Sequence, residues 1–286
     1  MDGAALLGWA HTDGRDLPWR RSRDPWAILV SELMLQQTQV ARVRERWGRF
    51  LARFPDPVRC AAAPTGDVVE EWAGLGYNRR AVNLWRAACA VRDDHDGTLP
   101  ADLDALLALP GVGPYTARAV LAFAFERDVG VLDTNVARIL ARQHGRRLRP
   151  AEAQAAADEL VPVGEGWAWN QAMLDLGATV CVARVPRCEA CPVSGSCAWA
   201  LDGRTAPDPA VGSAAVSGRQ SPFEGSDRQG RGRLVDALRR GPVHSDEVAV
   251  AAGWPDDPDR AARAMATLVR DGLAVPDGDR YTLPTS

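Results

Sequence analysis

The spacing of apolar residues predicts that most of the chain is helical. From residue 1 to about residue 200, Ala and Leu recur at the three- and four-residue intervals of amphipathic helices, and Pro and Gly interrupt the pattern. This part has no sustained alternation of β-branched and polar residues, which a half-buried strand would require. We therefore expect an all-α domain over residues 1–200.

The pattern changes after residue 200. Residues 201–232 are rich in Gly, Ser, Pro and Asp and poor in large apolar side chains, which predicts a linker. Short helices are then predicted at 234–240, 245–252 and 258–271, and strands at 273–276 and 280–283, joined by a tight turn at Asp277-Gly278. Residues 233–286 thus predict a small winged-helix-like α+β module, for which DNA contact and a packing role both remain open.

Composition narrows the class of protein. The 286 residues include 46% hydrophobic and 25% charged positions, as in soluble globular proteins of about two domains. No apolar run is long enough for a membrane span, and the first residues lack the basic start of a signal peptide. We expect a cytoplasmic protein, and its net charge of −3 means that any basic surface must arise from local clustering.

The 34 basic residues are all Arg, so the chain contains no lysine. This composition excludes catalysis by a lysine side chain through a Schiff base. It also excludes the phosphate-binding lysine of P-loop NTPases and protein kinases.

Four cysteines lie close together in the sequence. Cys181, Cys188, Cys191 and Cys197 have the spacing C-x6-C-x2-C-x5-C, and a reducing compartment makes metal binding a better explanation than disulfides. Zinc and a [4Fe-4S] cluster both accept four thiolates. The single C-x2-C pair leaves both open, because zinc sites commonly use two such pairs.

A glycine-containing turn between two predicted helices indicates a helix-hairpin-helix. The helices are expected at 103–109 and 115–125, and the turn contains Gly111, Val112 and Gly113. Its amides, at the start of the second helix, would bind a DNA phosphate without a cationic side chain. A plain helix end is the alternative, whereas a dinucleotide-binding turn is excluded because the motif follows a helix.

Glu32 is a candidate general acid. Asp24-Pro25 predicts the start of a helix that runs to Gln37, and Glu32 lies on its apolar stripe. Burial there would raise its pKa towards neutral pH. A structural Glu, bonded to a neighbouring helix end, is the alternative.

Asp133 is a second candidate acid, at the predicted start of a helix. Helix amides and the positive helix end would lower its pKa and keep it ionised. One carboxyl with a raised pKa and one with a lowered pKa is an arrangement that breaks glycosidic bonds. The alternative is a helix cap without catalytic function.

Seven motifs in chain order resemble the helix-hairpin-helix (HhH-GPD, endonuclease III-like) DNA glycosylase superfamily, and within it the MutY-type adenine glycosylases. They cover about residues 15–200 and are Leu-Pro-Trp-Arg (17–20), Ser-Glu-Leu-Met-Leu-Gln-Gln-Thr-Gln-Val (31–40), Gly-Leu-Gly-Tyr (74–77), Leu-Pro-Gly-Val-Gly (109–113), Val-Leu-Asp-Thr-Asn-Val (131–136), Asn-Gln-Ala-Met-Leu-Asp-Leu-Gly (170–177) and the four cysteines.

The resemblance implies a six-helix barrel over about residues 25–125 and an iron-sulfur domain formed by the N-terminus and residues 126–200. It implies a [4Fe-4S] cluster rather than zinc on the four cysteines. The implied substrate is double-stranded DNA in which an adenine lies opposite 8-oxoguanine or guanine and is flipped out before its N-glycosidic bond is hydrolysed. We expect a monomer, associated with the nucleoid.

The resemblance also implies roles for single residues. Glu32 would protonate the adenine ring and Asp133 would stabilise the cationic sugar, while Tyr115 and Asn135 would help to position them. The substrate-binding side chains would be Trp19, Arg20, Gln36, Gln37, Thr38 and Tyr77. Tyr115 lies where related strand-cleaving enzymes carry a lysine, so we expect a monofunctional glycosylase.

Two departures from the family pattern limit the resemblance. Thr134 replaces a Gly of many members, and the C-terminal module is much shorter than the usual Nudix-like domain that reads 8-oxoguanine. A thymine or uracil mismatch glycosylase of the same fold, and a non-catalytic DNA-binding protein with an iron-sulfur or zinc site, remain alternatives.

Overall fold

The structure, a computed structural model, describes residues 1–213 and 222–285. Within them the chain is mainly helical, as the apolar spacing predicts. The α-helices in chain order are α1 (Gly3–Asp13), α2 (Pro25–Leu35), α3 (Val40–Arg53), α4 (Pro57–Ala62), α5 (Thr65–Glu71), α6 (Arg79–Asp94), α7 (Leu103–Ala108), α8 (Pro114–Phe123), α9 (Thr134–His144), α10 (Pro150–Glu159), α11 (Gly166–Thr179), α12 (Ala198–Leu201), α13 (Asp227–Arg240), α14 (Val248–Ala252) and α15 (Pro258–Asp271). None of the helices in these ranges is long and apolar enough to cross a membrane.

The remaining regular elements are short. Single 3₁₀ turns occur at Pro18–Arg21, Cys188–Ala190 and Ser194–Ser196. The strands are β1 (Val243–His244), β2 (Val275–Asp277) and β3 (Arg280–Thr282).

The chain folds into two compact units. Unit 1 comprises Met1–Ile28, Ala101–Leu103 and Gly113–Arg219, and unit 2 comprises Leu29–Pro100, Asp104–Val112 and Gln220–Ser286. The region predicted as the barrel, residues 25–125, contributes to both units. The C-terminal module belongs to the same unit as residues 29–100.

Unit 1 is built around α1, α9 and α11, whose apolar faces pack together. Leu6, Leu140 and Leu176 are fully buried in this core, and Trp169 is 3% exposed. Helix α9 begins at the Asp133 cap and ends at Gly145, which has the left-handed conformation that favours glycine at a helix end. These two signals fix the length of the helix that carries Asp133.

In unit 2, residues 29–100 bury their own apolar core. Residues Leu29 to Met34 of α2 are almost fully buried, and Phe50 of α3 packs edge-on against Trp72, with 6.1 Å between ring centroids. Helix α4 packs on α6. Because both faces of this part of α2 are buried, its polar members, Ser31 and Glu32, lie inside the protein.

The C-terminal module of unit 2 combines α13, α14 and α15 with a three-stranded antiparallel sheet in the order β1-β3-β2. The predicted hairpin is present: Val275–Asp277 pairs with Arg280–Thr282, and Gly278 has a φ of 62° in the turn. The two-residue strand β1 was too short for its alternation to be visible in the sequence.

Two helix starts in the C-terminal module differ from the sequence prediction. Helix α13 begins at Asp227, inside the predicted linker, because the Ser226 side chain accepts a hydrogen bond from the Gln229 amide and caps it. Helix α14 begins at Val248 rather than at Ser245, because Ser245 donates its amide to the carbonyl of Asp279 in the wing.

Part of the predicted linker packs on unit 1. Asp208 forms an ion pair with the buried Arg142, at 2.6 Å, and Ser213 accepts a hydrogen bond from the Leu148 amide at 3.1 Å. The polar composition of residues 202–213 therefore reflects specific partners. Residues 214–221 of the predicted linker lie outside the described residues.

Candidate functional site

Helix α2 places Glu32 inside unit 2. The helix begins at Pro25, and the Asp24 carboxylate accepts a hydrogen bond from the Trp26 amide at 3.0 Å, which confirms the predicted start. Glu32 is 4% exposed and lies beside Leu29 and Leu33, as its place on the apolar stripe predicts. The helix ends at Leu35, before the predicted Gln37, because Gln37 has a left-handed φ of 55°.

Arg80, which the sequence analysis did not single out, joins two loops of unit 2. Its Nη1 donates to the carbonyls of Leu33, Met34 and Gln36 at 2.6–2.8 Å. Its Nη2 donates to the Thr38 hydroxyl and the Gly76 carbonyl, both at 2.9 Å. Burial lowers the pKa of Arg80 to about 10, so the guanidinium stays charged at neutral pH.

The two loops that Arg80 joins carry four predicted substrate-binding residues, Gln36, Gln37, Thr38 and Tyr77. The Thr38 hydroxyl donates to the carbonyl of Leu75 at 3.2 Å, which holds the loops together directly. Tyr77 is 42% exposed and, like the exposed Gln37, has a left-handed backbone, with φ of 46°. The backbone therefore presents both side chains at the surface at some conformational cost.

The predicted hairpin turn has the local conformation that the glycines indicate. Gly111 has a φ of 81°, and a Cβ on it would lie only 2.7 Å from the Cβ of Asn83, so a side chain is excluded there. Val112 is 7% exposed, and its amide donates to Leu109. Gly113 is the N-cap of α8, which has Pro114 in its first turn. Phosphate binding by these amides stays a prediction.

Asp133 of unit 1 caps α9 as predicted. Its Oδ1 accepts hydrogen bonds from the amides of Asn135 and Val136 at 2.8 and 2.7 Å. Its Oδ2 accepts from the Asn135 side chain at 2.8 Å. Three donors therefore fix both carboxylate oxygens, and the predicted pair Asp133 and Asn135 is in direct contact.

The prediction that the pKa of Asp133 is lowered is wrong. Burial raises its pKa and outweighs the hydrogen bonds from Val136 and Asn135, which lower it. Among the described residues no arginine forms an ion pair with Asp133, although Arg138 is near enough to lower the pKa. The carboxylate is thus held in place by hydrogen bonds, without an arginine ion pair among the described residues.

Arg138 connects the Asp133 cap to the cysteine loop. Its Nη2 donates to Asn135 Oδ1 at 2.8 Å and to the carbonyl of Gly177 at 2.7 Å, and its Nε donates to the carbonyl of Cys181 at 2.7 Å. A Cβ on Gly177 would lie 2.5 Å from that of Asn135. The glycine therefore permits the close approach of α11 to α9.

Trp19, Arg20 and Tyr115 also belong to unit 1. Trp19 is 6% exposed. Arg20 forms an ion pair with the buried Asp175, with 2.6 Å between Nη2 and Oδ1. Tyr115 is partly buried in the first turn of α8. Their predicted contacts with substrate stay predictions.

The four predicted metal ligands line one pocket of unit 1. Arg142 lines it too and donates to Cys181 Sγ at 3.3 Å, while Cys197 Sγ donates to the Arg142 carbonyl at 3.3 Å. Burial raises the pKa of the Cys191 thiol to about 11. Within residues 1–213 and 222–285, no three His, Cys, Asp or Glu side chains are grouped around a position for a single metal ion.

Comparison with known proteins identifies relatives over nearly the whole chain. Residues 30–163 match the family of HhH-GPD superfamily base excision DNA repair proteins. The chain is 42% identical to the adenine DNA glycosylase of Mycolicibacterium smegmatis, over 97% of the chain and 94% of that protein. It is 44% identical to the adenine DNA glycosylase of Mycobacterium tuberculosis, over 98% of the chain and 92% of that protein.

Solved structures share the fold over about 70% of the chain. A thermostable thymine-DNA glycosylase is similar with a TM-score of 0.67 and 31% identity, covering 70% of this chain and 94% of that one. Endonuclease III in a trapped covalent intermediate with DNA is similar with a TM-score of 0.61 and 25% identity, covering 71% of this chain and 96% of that one.

Proposed function

Because the chain belongs to the adenine DNA glycosylases of the HhH-GPD superfamily of base excision DNA repair proteins, we propose that it removes adenine mispaired with 8-oxoguanine or guanine. The reaction hydrolyses the N-glycosidic bond of an adenine that has been flipped out of double-stranded DNA. The observation that carries the proposal is Asp133, whose two oxygens are fixed by three donors and have no arginine ion pair among the described residues.

The proposed mechanism uses two acids with different tasks. Glu32, 4% exposed on α2, protonates a ring nitrogen of adenine, which makes the base a better leaving group. Asp133 stabilises the positive charge that develops on the sugar as the bond breaks. Asn135 holds Asp133 through its side-chain amide. Tyr115 helps to position the two acids.

The absence of lysine makes the enzyme monofunctional. A strand-cleaving glycosylase of this fold forms a Schiff base between a lysine and the sugar, and no such side chain exists in this sequence. The product is therefore an abasic site in an intact strand.

We further propose that the four cysteines hold a [4Fe-4S] cluster. Cys181, Cys188, Cys191 and Cys197 line one pocket of unit 1, and four thiolates are the ligand set of such a cluster. The cluster would hold in place the cysteine loop, which accepts hydrogen bonds from Arg138 and Arg142.

Contacts with double-stranded DNA would involve the hairpin amides of Gly111 and Gly113, because the Val112 amide already donates to the Leu109 carbonyl. They would also involve the loops that carry Trp19, Arg20, Gln36, Gln37, Thr38 and Tyr77. The amides suit a phosphate because the chain has no excess of cationic side chains. We propose a monomer that acts at the nucleoid in the cytoplasm.

The decisive experiment compares duplexes with adenine opposite 8-oxoguanine, adenine opposite guanine, and thymine or uracil opposite guanine. We expect release of adenine from the first two, lost in Glu32→Gln and in Asp133→Asn. Release of thymine or uracil alone would favour a thymine or uracil mismatch glycosylase of the same fold. Binding without base release would favour a non-catalytic DNA-binding protein. Strand cleavage at neutral pH without heat or alkali would contradict the monofunctional mechanism.

The cofactor is tested on the purified protein. We expect a brown solution, visible absorbance, and about four iron atoms per chain. Stoichiometric zinc in a colourless, active protein would contradict the cluster.

A further inference from the structure

Unit 2 contains a second candidate site, formed with the C-terminal module. A cleft of about 800 Å³ lies between the two loops that Arg80 joins and the helices α13 and α15. We call it the arginine cleft. One wall carries Gln37 and Tyr77, and the other carries Phe223 and Arg228, which precede and begin α13.

The arginine cleft is positively charged in a chain whose net charge is −3. Among the residues that the structure describes, five arginines and one carboxylate line it: Arg42, Arg79, Arg80, Arg228, Arg231 and Asp271. The Asp271 carboxylate forms an ion pair with Arg231, with 2.6 Å between Oδ2 and Nη2. Its Oδ1 lies 3.8 Å from Nη1 of Arg79. The arginines thus outnumber the carboxylate, and the cleft favours an anionic ligand with several charges.

Two exposed aromatic rings stand at the arginine cleft. Tyr77 is 42% exposed and Phe223 is 58% exposed. Arg228 lies between them: its Nη1 donates to the Tyr77 hydroxyl at 3.0 Å, and its guanidinium carbon lies 5.9 Å from the Phe223 ring centroid. Arginines interleaved with exposed aromatics are typical of surfaces that bind a nucleic-acid strand.

The arginine cleft exists before any ligand binds, because the module is bonded to residues 29–100. Arg239 of α13 donates to the carbonyl of Val69 at 2.8 Å and to Asn78 Oδ1 at 3.1 Å. The amide of Gly66 donates to the carbonyl of Pro284 at 2.9 Å, and a Cβ on Gly66 would lie 2.4 Å from that oxygen. These contacts fix α13 against the loop that carries Tyr77.

We propose that the arginine cleft binds a DNA strand of the duplex beside Tyr77, so that the C-terminal module is a DNA-contacting element. Arg228 and Arg42 contact backbone phosphates, and Phe223 stacks on a base. Arg228 also positions Tyr77 through its hydroxyl. The inference rests on the proposed function only in taking double-stranded DNA as the substrate class.

The lack of lysine permits a direct test. Arg228→Lys introduces the first side-chain amine into the chain and keeps the positive charge. We expect a duplex with an abasic analogue opposite 8-oxoguanine to protect this amine from acylation, as measured by mass spectrometry. In the control Arg263→Lys, at an exposed position of α15 outside the cleft lining, the amine should react equally with and without DNA. Equal reactivity of both amines would overturn the proposal.

Binding measurements provide the second test. Arg228→Ala should weaken binding of the same duplex about 5-fold and reduce the slope of log K against log salt by about 1. Phe223→Ala should weaken binding about 5- to 10-fold with the slope unchanged, because stacking carries no charge. The controls are Arg263→Ala and Val250→Ala, the latter at a side chain that is 70% exposed. Variants that bind like their controls would overturn the proposal.

The two proposals fail in different ways. If the wild-type protein binds the duplex but releases no adenine, the proposed function fails. Protection of the amine in Arg228→Lys would then still show whether DNA occupies the arginine cleft. If it releases adenine while Arg228→Lys is unprotected, only the DNA contact of the module fails. Thermal unfolding of each variant shows that it is folded.

Discussion

Two aspartates of unit 1, Asp133 and Asp175, have opposite surroundings. Asp175 is 1% exposed and accepts hydrogen bonds from Arg15 and Arg20, each at 2.6 Å from its Oδ1. Burial alone would raise the pKa of Asp175, but the two arginines hold it below its ordinary value. Asp133 is partly exposed, is bonded by amides alone, and has a raised pKa.

The charge of Asp175 is matched by two arginines, whereas Asp133 has no arginine ion pair among the described residues. The charge of Asp175 is used to hold the segment that carries Trp19 and Arg20. Near Asp133 the guanidinium of Arg138 donates to Asn135 Oδ1 and to two carbonyls. In our proposed mechanism the Asp133 carboxylate, which has no arginine ion pair among the described residues, stabilises the cation that forms only during the reaction.

The largest expected effect follows from Asp133→Asn. Asparagine caps a helix as well as aspartate does, and it removes a charge that burial disfavours. We expect adenine release to slow by about 10³-fold or more, while the melting temperature stays equal or rises. Asp257→Asn, at the N-cap of α15, is the matched control and should keep full activity. An active Asp133→Asn enzyme would contradict the role of this carboxylate.

Asp175→Asn should instead reduce stability. The substitution leaves the guanidinium of Arg20, whose side chain is 11% exposed, without its counter-charge. Removing one partner of a buried ion pair costs about 3–5 kcal/mol in the free energy of unfolding. Urea denaturation measures this loss, and Asp16→Asn, in an exposed pair with Arg21, should change it little. A loss equal to that of the control would show that Asp175 is not the centre of this network.

The pH dependence of stability should distinguish Asp175→Asn from the wild type. Because the pKa of Asp175 is lower in the folded than in the unfolded state, its ion pairs stabilise the fold above the ordinary Asp pKa of about 3.9. That contribution is lost as the pH falls through the lower folded-state pKa. We expect the free energy of unfolding to fall less steeply in acid for Asp175→Asn than for the wild type. Parallel curves would contradict this assignment.

The smallest effect is expected for Asn135→Ala. The substitution removes one hydrogen bond to Asp133 Oδ2, worth about 1 kcal/mol, so the excision rate should fall about 3- to 10-fold. Because that bond lowers the pKa of Asp133, the acidic limb of the rate profile should move to higher pH. The neighbouring exposed Thr134→Ala is the control and should leave both the rate and the limb unchanged.

Local sequence signals determined the positions of several elements. Asp24-Pro25 fixed the start of α2, Asp133 fixed the start of α9, and Asp277-Gly278 fixed the wing hairpin, because each acts through hydrogen bonds or backbone angles within a few residues. The apolar stripe likewise predicted that Glu32 is buried. The family itself followed from motifs in order, which the comparisons confirm.

The tertiary structure decided what these residues meet. The carbonyls that Arg80 joins come from two separate loops, and no periodicity in the sequence marks such a contact. The sign of the pKa shift at Asp133 depends on the balance between burial and three donors, and the sequence showed only the donors. The sequence therefore determined the candidate acids and the helices that carry them. Desolvation and the choice of partner for each arginine depend on residues distant in the chain, and the fold decided them.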